Sequence, residues 1–487
     1  MTKRALTLIL ASAMAATTLL SACNSNNGGS STSGGSSTPT SGSTTSSDGG
    51  GTTGGLKPIS ELKTKKDFVI AICGATLEDG INNTTKLPAE GFQTLANTQL
   101  KEKFPNITVE ISSVPWDNAS AKVQTMLMSG SADLFTQGGA FQPEYYKEGL
   151  SQDLNPFLEA DTEFVYEDNF PANFRTHQNC TSYDGQHLLT LPWDVGYRII
   201  MYDAEIFEQW DVEPLPEYPT PEEILEKAGK MTGTNPVTGK QNYGIYIAAN
   251  NLNMSWLIPL NEYFGGIECE GSWDDPGNLQ WSMDTDEYVK AVQWLVDAVK
   301  FCPPAASTGQ GTENWGTDDN DIAIFMDGGG GKMTAAIVQD ESLKDHLTSK
   351  FVPTMHFGKN GGNWTPVDGM GMSAQLTGDD AEMGWHLIKF MTCDVAQWRQ
   401  DQWGPNFSGN LNVQKTTPEW DIWRQMNARV SAQATHPGYE INPFFQATIQ
   451  PTLASMMSRS IAGESVDVKA ELADLNAKAV AWSESKK

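Results

Sequence analysis

The 487-residue sequence predicts an α/β protein of two lobes with a helical C-terminal region. Three observations carry that expectation. Residues 67–135 alternate apolar strands with amphipathic helices in the order βαβαβ, which calls for a largely parallel sheet with ligands at the carboxyl ends of its strands. The chain is too long for one small core and points to two or more domains. The stretch Leu191–Phe207 changes character midway. Pro192, Trp193 and Asp194 make a rigid turn, Gly196 frees the backbone, and Tyr197–Tyr202 reads as a buried strand. A turn fused to a strand in this way is what a crossing between two lobes looks like.

The chain opens with Lys3 and Arg4, an apolar run from Ala5 to Leu20, and then Leu20-Ser21-Ala22-Cys23. A basic start, a short apolar core and small residues before a cut read as a secretory signal, assigned to residues 1–22. A cysteine directly after that cut resembles a bacterial lipobox, which makes Cys23 the lipid-anchored first residue of the mature chain. Residues 24–56 are nearly all Ser, Thr, Gly and Asn. They are expected to form a flexible tether spanning on the order of 30 Å. The formal net charge of −28 repels nucleic acid and anionic lipid. No second apolar run approaches the ~18 residues of a membrane span. The expected location is the extracellular face of a bacterial cytoplasmic membrane, held by the lipid alone.

The folded part begins near Lys57. Asp67–Ile72 is a short apolar strand; Phe92, Leu95, Ala96 and Leu100 share one helical face, closed at Phe104-Pro105. Ile107, Val109 and Ile111 alternate as a strand, Ala119, Val123, Met126 and Leu127 have helical spacing, and Asp133-Leu134-Phe135 is a third strand. Beyond the crossing, Thr220-Pro221-Glu222-Glu223 is a capping box with proline at the first helical position. Tyr243–Ile247 is a strand, followed by the aromatic, Asn-rich Asn250–Phe264. A helix near Asp284 carries Val289, Val292, Val296 and Val299, and Ile322–Met326 is a strand leading into Gly328–Gly331. Phe351–Pro353 and Val367–Met372 are further strands, and Trp385, Ile388 and Met391 lie on a helix. The last ~60 residues show only helical periodicity. They end on an amphipathic helix through Val468, Leu472, Leu475, Ala479 and Trp482.

Several chemistries are disfavoured. Gly328–Gly331 with Lys332 fails the phosphate-loop pattern, because its first glycine would fall at Met326 and Met333 replaces the hydroxyl residue. Asp318–Asp321 lacks the glycine and glutamate of a calcium loop and reads as a solvated turn before the Ile322 strand. Cys73, Cys180, Cys269, Cys302 and Cys393 show no CxxC spacing, which argues against zinc. A Cys269–Cys302 bridge is conceivable, and the default is five small buried side chains. None of the six histidines lies in HExxH, and no GxSxG elbow is present. No catalytic residue, metal or cofactor is expected.

The positive signal is aromatic. Of 15 tryptophans, Trp116, Trp193, Trp315, Trp364 and Trp403 lie in turns rich in Gly, Pro, Asn and Asp. Flat rings there stack on pyranose faces while neighbouring polar groups meet the hydroxyls. Trp294, Trp385, Trp398 and Trp482 lie within helices and read as core.

Together these segments resemble the extracellular solute-binding protein family 1, the substrate-binding lipoproteins of carbohydrate ABC importers that include maltose-binding protein. The resemblance runs through Phe104–Glu110, Met126–Phe135, Tyr146–Leu150 with Asp153-Leu154, Leu191-Pro192-Trp193 through Phe207, Thr220–Met231, Phe325–Met333 and Trp385–Met391. Gly328–Gly331 is richer in glycine than the family's pattern. The resemblance implies a type II periplasmic-binding-protein-like fold. Lobe one would be 57–198 plus 371–420, and lobe two 199–370 plus 421–487. It implies a monomer that holds a sugar, expected to be an oligosaccharide, in the cleft and passes it to permease subunits by hinge closure. It further implies ligand contacts from Gln137 after the third strand, Trp193 and Asp194 before the first crossing, and Asn253 and Trp256 in lobe two. Trp364 and Asp368 near the second crossing and Phe445 on the C-terminal helices complete that implied set. Trp403 and Asn406 are added from the turn Trp403-Gly404-Pro405-Asn406 itself. Two other readings remain open on sequence: a surface glycoside hydrolase, and a same-fold receptor for a peptide or polyamine.

Overall fold

The computed structural model describes residues 55–82, 87–116, 119–137, 141–195, 200–250, 253–326, 333, 336–337, 339–354, 357, 367–403, 407–413 and 444–487. Cys23 and the signal, most of the tether, Tyr197, Gly328–Gly331, Trp364 and Asn406 lie outside them.

In chain order the strands are β1 (Asp67–Cys73), β2 (Gly80–Ile81), β3 (Pro88–Ala89), β4 (Thr108–Val114), β5 (Leu134–Gln137), β6 (Thr190–Val195) and β7 (Ile200–Asp203). There follow β8 (Gly233–Thr234), β9 (Gln241–Tyr246), β10 (Cys269–Glu270), β11 (Gln280–Trp281), β12 (Ile322–Phe325), β13 (Phe351–Thr354), β14 (Val367–Met372) and β15 (Phe407–Ser408). They make two principal sheets, ordered β15-β6-β14-β5-β1-β4 and β13-β7-β12-β9-β8. β1 pairs in parallel with β4 and with β5, as the βαβαβ pattern requires. The parallel centre is buried on both faces, and the apolar run Phe68–Cys73 in β1 is the sequence counterpart.

Each sheet has its own core. Phe68, Ile70, Leu134, Trp193, Trp385 and Met391 belong to one. Ile200, Phe207, Ile245, Trp256, Ile324 and Phe445 belong to the other. The chain passes from the first sheet to the second between β6 and β7, within the stretch the sequence marks. The return differs from expectation. β14 lies wholly in the first sheet, antiparallel to β5 and β6, so the second boundary precedes Val367 rather than falling at 371. Gly369 and Gly371 make this insertion possible: a Cβ on Gly369 would come within 2.0 Å of Thr190 Oγ1, and one on Gly371 within 2.9 Å of the Phe135 ring. The sheet closes around β14 because two positions lack side chains.

Local signals hold where they are strongest. Thr220 and Glu223 exchange both bonds of a capping box ahead of Pro221–Lys230. The side chain of Asn320 accepts from the Ile322 N–H (3.2 Å), so Asp318–Asp321 is a turn ahead of β12. At the entry to lobe two, Asp203 caps the helix Ala204–Gln209. Lys350 reaches that buried carboxylate at 3.1 Å and is also paired with Glu205. Asn250–Phe264 resolves into the helix Asn253–Phe264, with Pro259 inside it. The described C-terminal residues are helical, and the closing helix Val468–Glu484 buries Leu472, Leu475 and Ala479. Cys269 and Cys302 are free thiols and do not bridge.

Burial alone pushes the Glu262 carboxyl, on the helix Asn253–Phe264, up to about 7 from 4.5. The folded state then holds a proton that the unfolded chain has released, so stability falls as pH rises through that interval and stays lower above it. Glu262→Gln is expected to raise the unfolding free energy at pH 8 by on the order of 1–3 kcal/mol and to change little at pH 4. Urea denaturation at both pH values measures it. An equal effect at the two values would refute burial as the cause.

Candidate functional site

The carboxyl ends of β1, β4 and β6 border a cavity of about 240 Å³ lined by Ile72–Thr76, Phe92, Trp116, Trp193, Asp194, Arg399 and Trp403. This is the rim at which an α/β sheet offers ligands its loop backbone and strand ends.

The floor is the end of β1. The Cys73 N–H donates to Thr136 Oγ1 (2.9 Å) and its thiol donates to the Thr136 carbonyl (3.1 Å). Burial pushes that thiol up to about 12, so it stays protonated at neutral pH. Gly74 follows at φ +70°, with its N–H on the Val114 carbonyl (2.8 Å). A Cβ there would lie 2.3 Å from Trp116 Nε1, so the absence of a side chain lets the indole settle over the backbone. Trp116 is 54% exposed and presents a large apolar surface beside the cavity.

The wall is built differently from the sequence expectation. Trp193 is only 4% exposed. Its ring lies 4.4 Å from the Arg399 guanidinium carbon and 6.2 Å from the Phe92 centroid. Arg399 also donates to the Trp193 carbonyl (2.7 Å) and to Asp194 Oδ1. The expected exposed stacking face is therefore corrected: Trp193 is a backing ring, immobilised by a cation and a second aromatic. The half-buried Trp403 closes the other side and donates its indole N–H to the Glu90 carbonyl.

Several anticipated residues converge here. Trp193, Asp194 and Trp403 line the cavity. Gln137 ends β5 directly behind it, its Oε1 3.7 Å from Cys73 Sγ, and Asp368 pairs in register with Asp194 across β14 and β6. Others do not converge. Trp256 is 0% exposed, edge-on to Phe357 and donating to the Met326 carbonyl, and Phe445 is likewise 0% exposed in the lobe-two core. A ring buried on all sides offers a solute no face, so the expectation for these two is corrected. Asn253 opens its helix in lobe two and is not among the residues that line this cavity. Trp315 is stacked on Phe325 at 4.4 Å and belongs to the core as well. Sequence reasoning missed Arg399 and Phe92. The only advance sign of Arg399 was a lone cation in a helix ending at the turn tryptophan.

The described lining is built from aromatic rings, backbone and few ionisable groups. Its ionisable groups are Cys73, Asp194 and Arg399, of which the first is protonated and the other two are paired. Among the described residues no cluster of His, Cys, Asp or Glu could hold a metal ion, and no helix is long and apolar enough to cross a membrane.

Residues 85–398 match the family model of the bacterial extracellular solute-binding proteins. The erythritol/L-threitol-binding protein of Mycolicibacterium smegmatis is 26% identical over 225 residues, 43% of this chain and 45% of that protein. The chain thus spans under half the length of that relative. Among solved structures, the MalE sugar-binding protein of Xanthomonas citri aligns with a TM-score of 0.64 at 13% identity, over 86% of this chain and 98% of that one. A solute-binding protein of Agrobacterium vitis with bound D-mannitol gives 0.60 at 20%, over 85% and 97%. An ABC substrate-binding protein of Listeria monocytogenes in complex with cycloalternan gives 0.61 at 17%, over 85% and 98%. These similarities extend over nearly the whole of each solved chain and establish the two-lobed fold.

The two cavity tryptophans nearest the sheet should separate cleanly. Trp193→Ala is expected to lose about 3–5 kcal/mol of stability, as for deletion of a buried ring. Trp116→Ala should stay within about 0.5 kcal/mol of wild type. Urea unfolding midpoints measure both, and a wild-type midpoint for Trp193→Ala would return that ring to the surface.

Proposed function

The chain belongs to the bacterial extracellular solute-binding protein family, a family of binding proteins rather than enzymes, and we propose that it captures a sugar between its lobes and delivers it to an ABC permease. The observation that carries this reading is the pairing of exposed and half-buried indoles, Trp116 and Trp403, around a floor of backbone and neutral polar groups. Aromatic faces meet the C–H faces of a sugar, and the polar floor meets its hydroxyls. The acidic balance of the chain does not reach the cavity unopposed. Asp194 is neutralised by Arg399, which favours an uncharged solute over a polyamine. The solved relatives hold mannitol, cycloalternan and, in other cases, ribitol or maltose, and support a sugar or polyol of one to several units. An oligosaccharide is our choice among these.

Solute bound on lobe one would be covered by lobe two, and the differential affinity of the closed form for solute drives closure. We further assign Cys23 as the lipid-bearing residue after a cleaved signal, with a monomeric receptor tethered outside the membrane through residues 24–56. Loss of palmitate labelling in Cys23→Ser, in a bacterial host, tests that assignment.

A thermal-shift and calorimetric screen of the folded protein against maltose, maltotriose, D-mannitol, ribitol, spermidine and a tripeptide tests the solute class. A sugar at about 100 times its Kd should add roughly 2.7 kcal/mol and raise the Tm by several degrees. Trp403→Ala should lower affinity for that sugar tenfold or more. A response to spermidine or the tripeptide alone would overturn the sugar reading.

A further inference from the structure

The connection from Cys73 to Phe92 is several times longer than the two to six residues usual between a strand and the next helix, and it lies at the cavity end of the sheet. A connection of this length is uncommon in a compact domain. This one folds into the β2–β3 hairpin. Asp79 closes its base, accepting from the Gly91 N–H and from Thr94 Oγ1, both at 2.7 Å. Those bonds hold the Asp79 carboxyl below its usual value.

The far side of the hairpin is joined to the helix Ala396–Trp403, more than 300 residues away in sequence. Asn82 Nδ2 donates to the Gln402 carbonyl (2.6 Å), and the Glu90 N–H donates to Gln402 Oε1 (2.8 Å). Glu90 then receives two indoles. Its carboxylate accepts from Trp398 Nε1 (3.0 Å) and its carbonyl accepts from Trp403 Nε1. Trp398 sets its edge against Phe92, with centroids 5.4 Å apart, while Phe92 and Trp403 both line the cavity. A tryptophan whose only donor is already engaged cannot hydrogen-bond a solute hydroxyl through it. What Trp403 has left to offer is the face of its ring.

We propose that Glu90 is a positioning residue: held by Gln402 and Trp398, it takes up the Trp403 indole N–H and fixes that ring to meet solute by its face. The consequence for solute rests on the sugar reading above. A fixed, donor-less ring favours a cyclic sugar, whose C–H groups share one face, over an acyclic polyol whose hydroxyls are distributed around the chain. Freeing the ring removes that preference.

The test compares wild type, Glu90→Gln and the double variant Glu90→Ala/Gln402→Ala, each labelled with 5-fluorotryptophan. The Trp403 fluorine line is identified by its loss in Trp403→Phe. Glu90→Gln keeps an oxygen acceptor for Trp398 and should leave that line in place. The double variant removes both side-chain ties and should shift the line by more than its width. An unmoved line overturns the proposal with no solute present. Calorimetry with maltose and D-mannitol supplies the second readout, where the double variant should lower the maltose-to-mannitol affinity ratio at least threefold. An unchanged ratio, with both solutes bound, overturns the selectivity part. If no sugar or polyol of the panel above binds the wild type while spermidine or the tripeptide does, the sugar reading falls, and the fluorine line still decides the positioning role.

Discussion

One guanidinium organises the candidate site. Arg399 is nearly inaccessible, and a buried cation is tolerated only when its charge and its N–H groups are met. Here Asp194 meets the charge, the Trp193 carbonyl takes a second donor, and the Trp193 ring covers the planar face. All three partners come from β6, the last strand before the first crossing. The cation comes from a helix that follows the second crossing. This interaction therefore fastens the two chain segments of lobe one to each other. Removing either charge would leave the other buried and unpaired, which is why the pair is better described as a fixed joint than as a source of net stability.

The hairpin seam depends on the same helix. Gln402 and the indoles of Trp398 and Trp403 are within one turn of Arg399, so the joint beneath Trp193 also sets the height at which the hairpin docks. Gly74 has the complementary role on the opposite wall, where its missing side chain admits the Trp116 ring. The rings at the cavity differ in mobility by construction. One is clamped face-on by a cation, one is held by its N–H, and one rests over bare backbone with most of its surface in water.

Fold and site were not equally legible in the sequence. Periodicity found β1, β4 and β5 and their parallel order because a strand buried on both faces leaves an uninterrupted apolar run. The Thr220 capping box was legible because both of its bonds are local. The boundary near Val367 was misplaced by a few residues, since nothing local distinguishes a strand that serves the sheet it leaves from one that serves the sheet it enters. Composition flagged turn tryptophans without saying which faces are free. Trp315, Trp193 and Trp116 share that context, yet they are stacked core, clamped backing and exposed surface respectively. What separates them is a partner distant in the chain: Phe325, Arg399 or the vacancy at Gly74. Trp256 shows the converse, because a motif match placed it in lobe two while its burial depends on Met326 and Phe357.

Every described residue that lines the cavity belongs to lobe one. A half-site whose described lining comes from one lobe would divide the kinetics of capture proposed above. On the proposed reading, the encounter step uses the open face of lobe one, so the association rate is governed by access to those rings in the open form. Escape would then require lobe two to withdraw first, so residence time would be governed by the hinge. Substitutions at Trp116 or Trp403 and substitutions at the crossings can then change the same affinity through different rate constants, and a receptor built this way can lengthen its hold on a solute without becoming slower to find it.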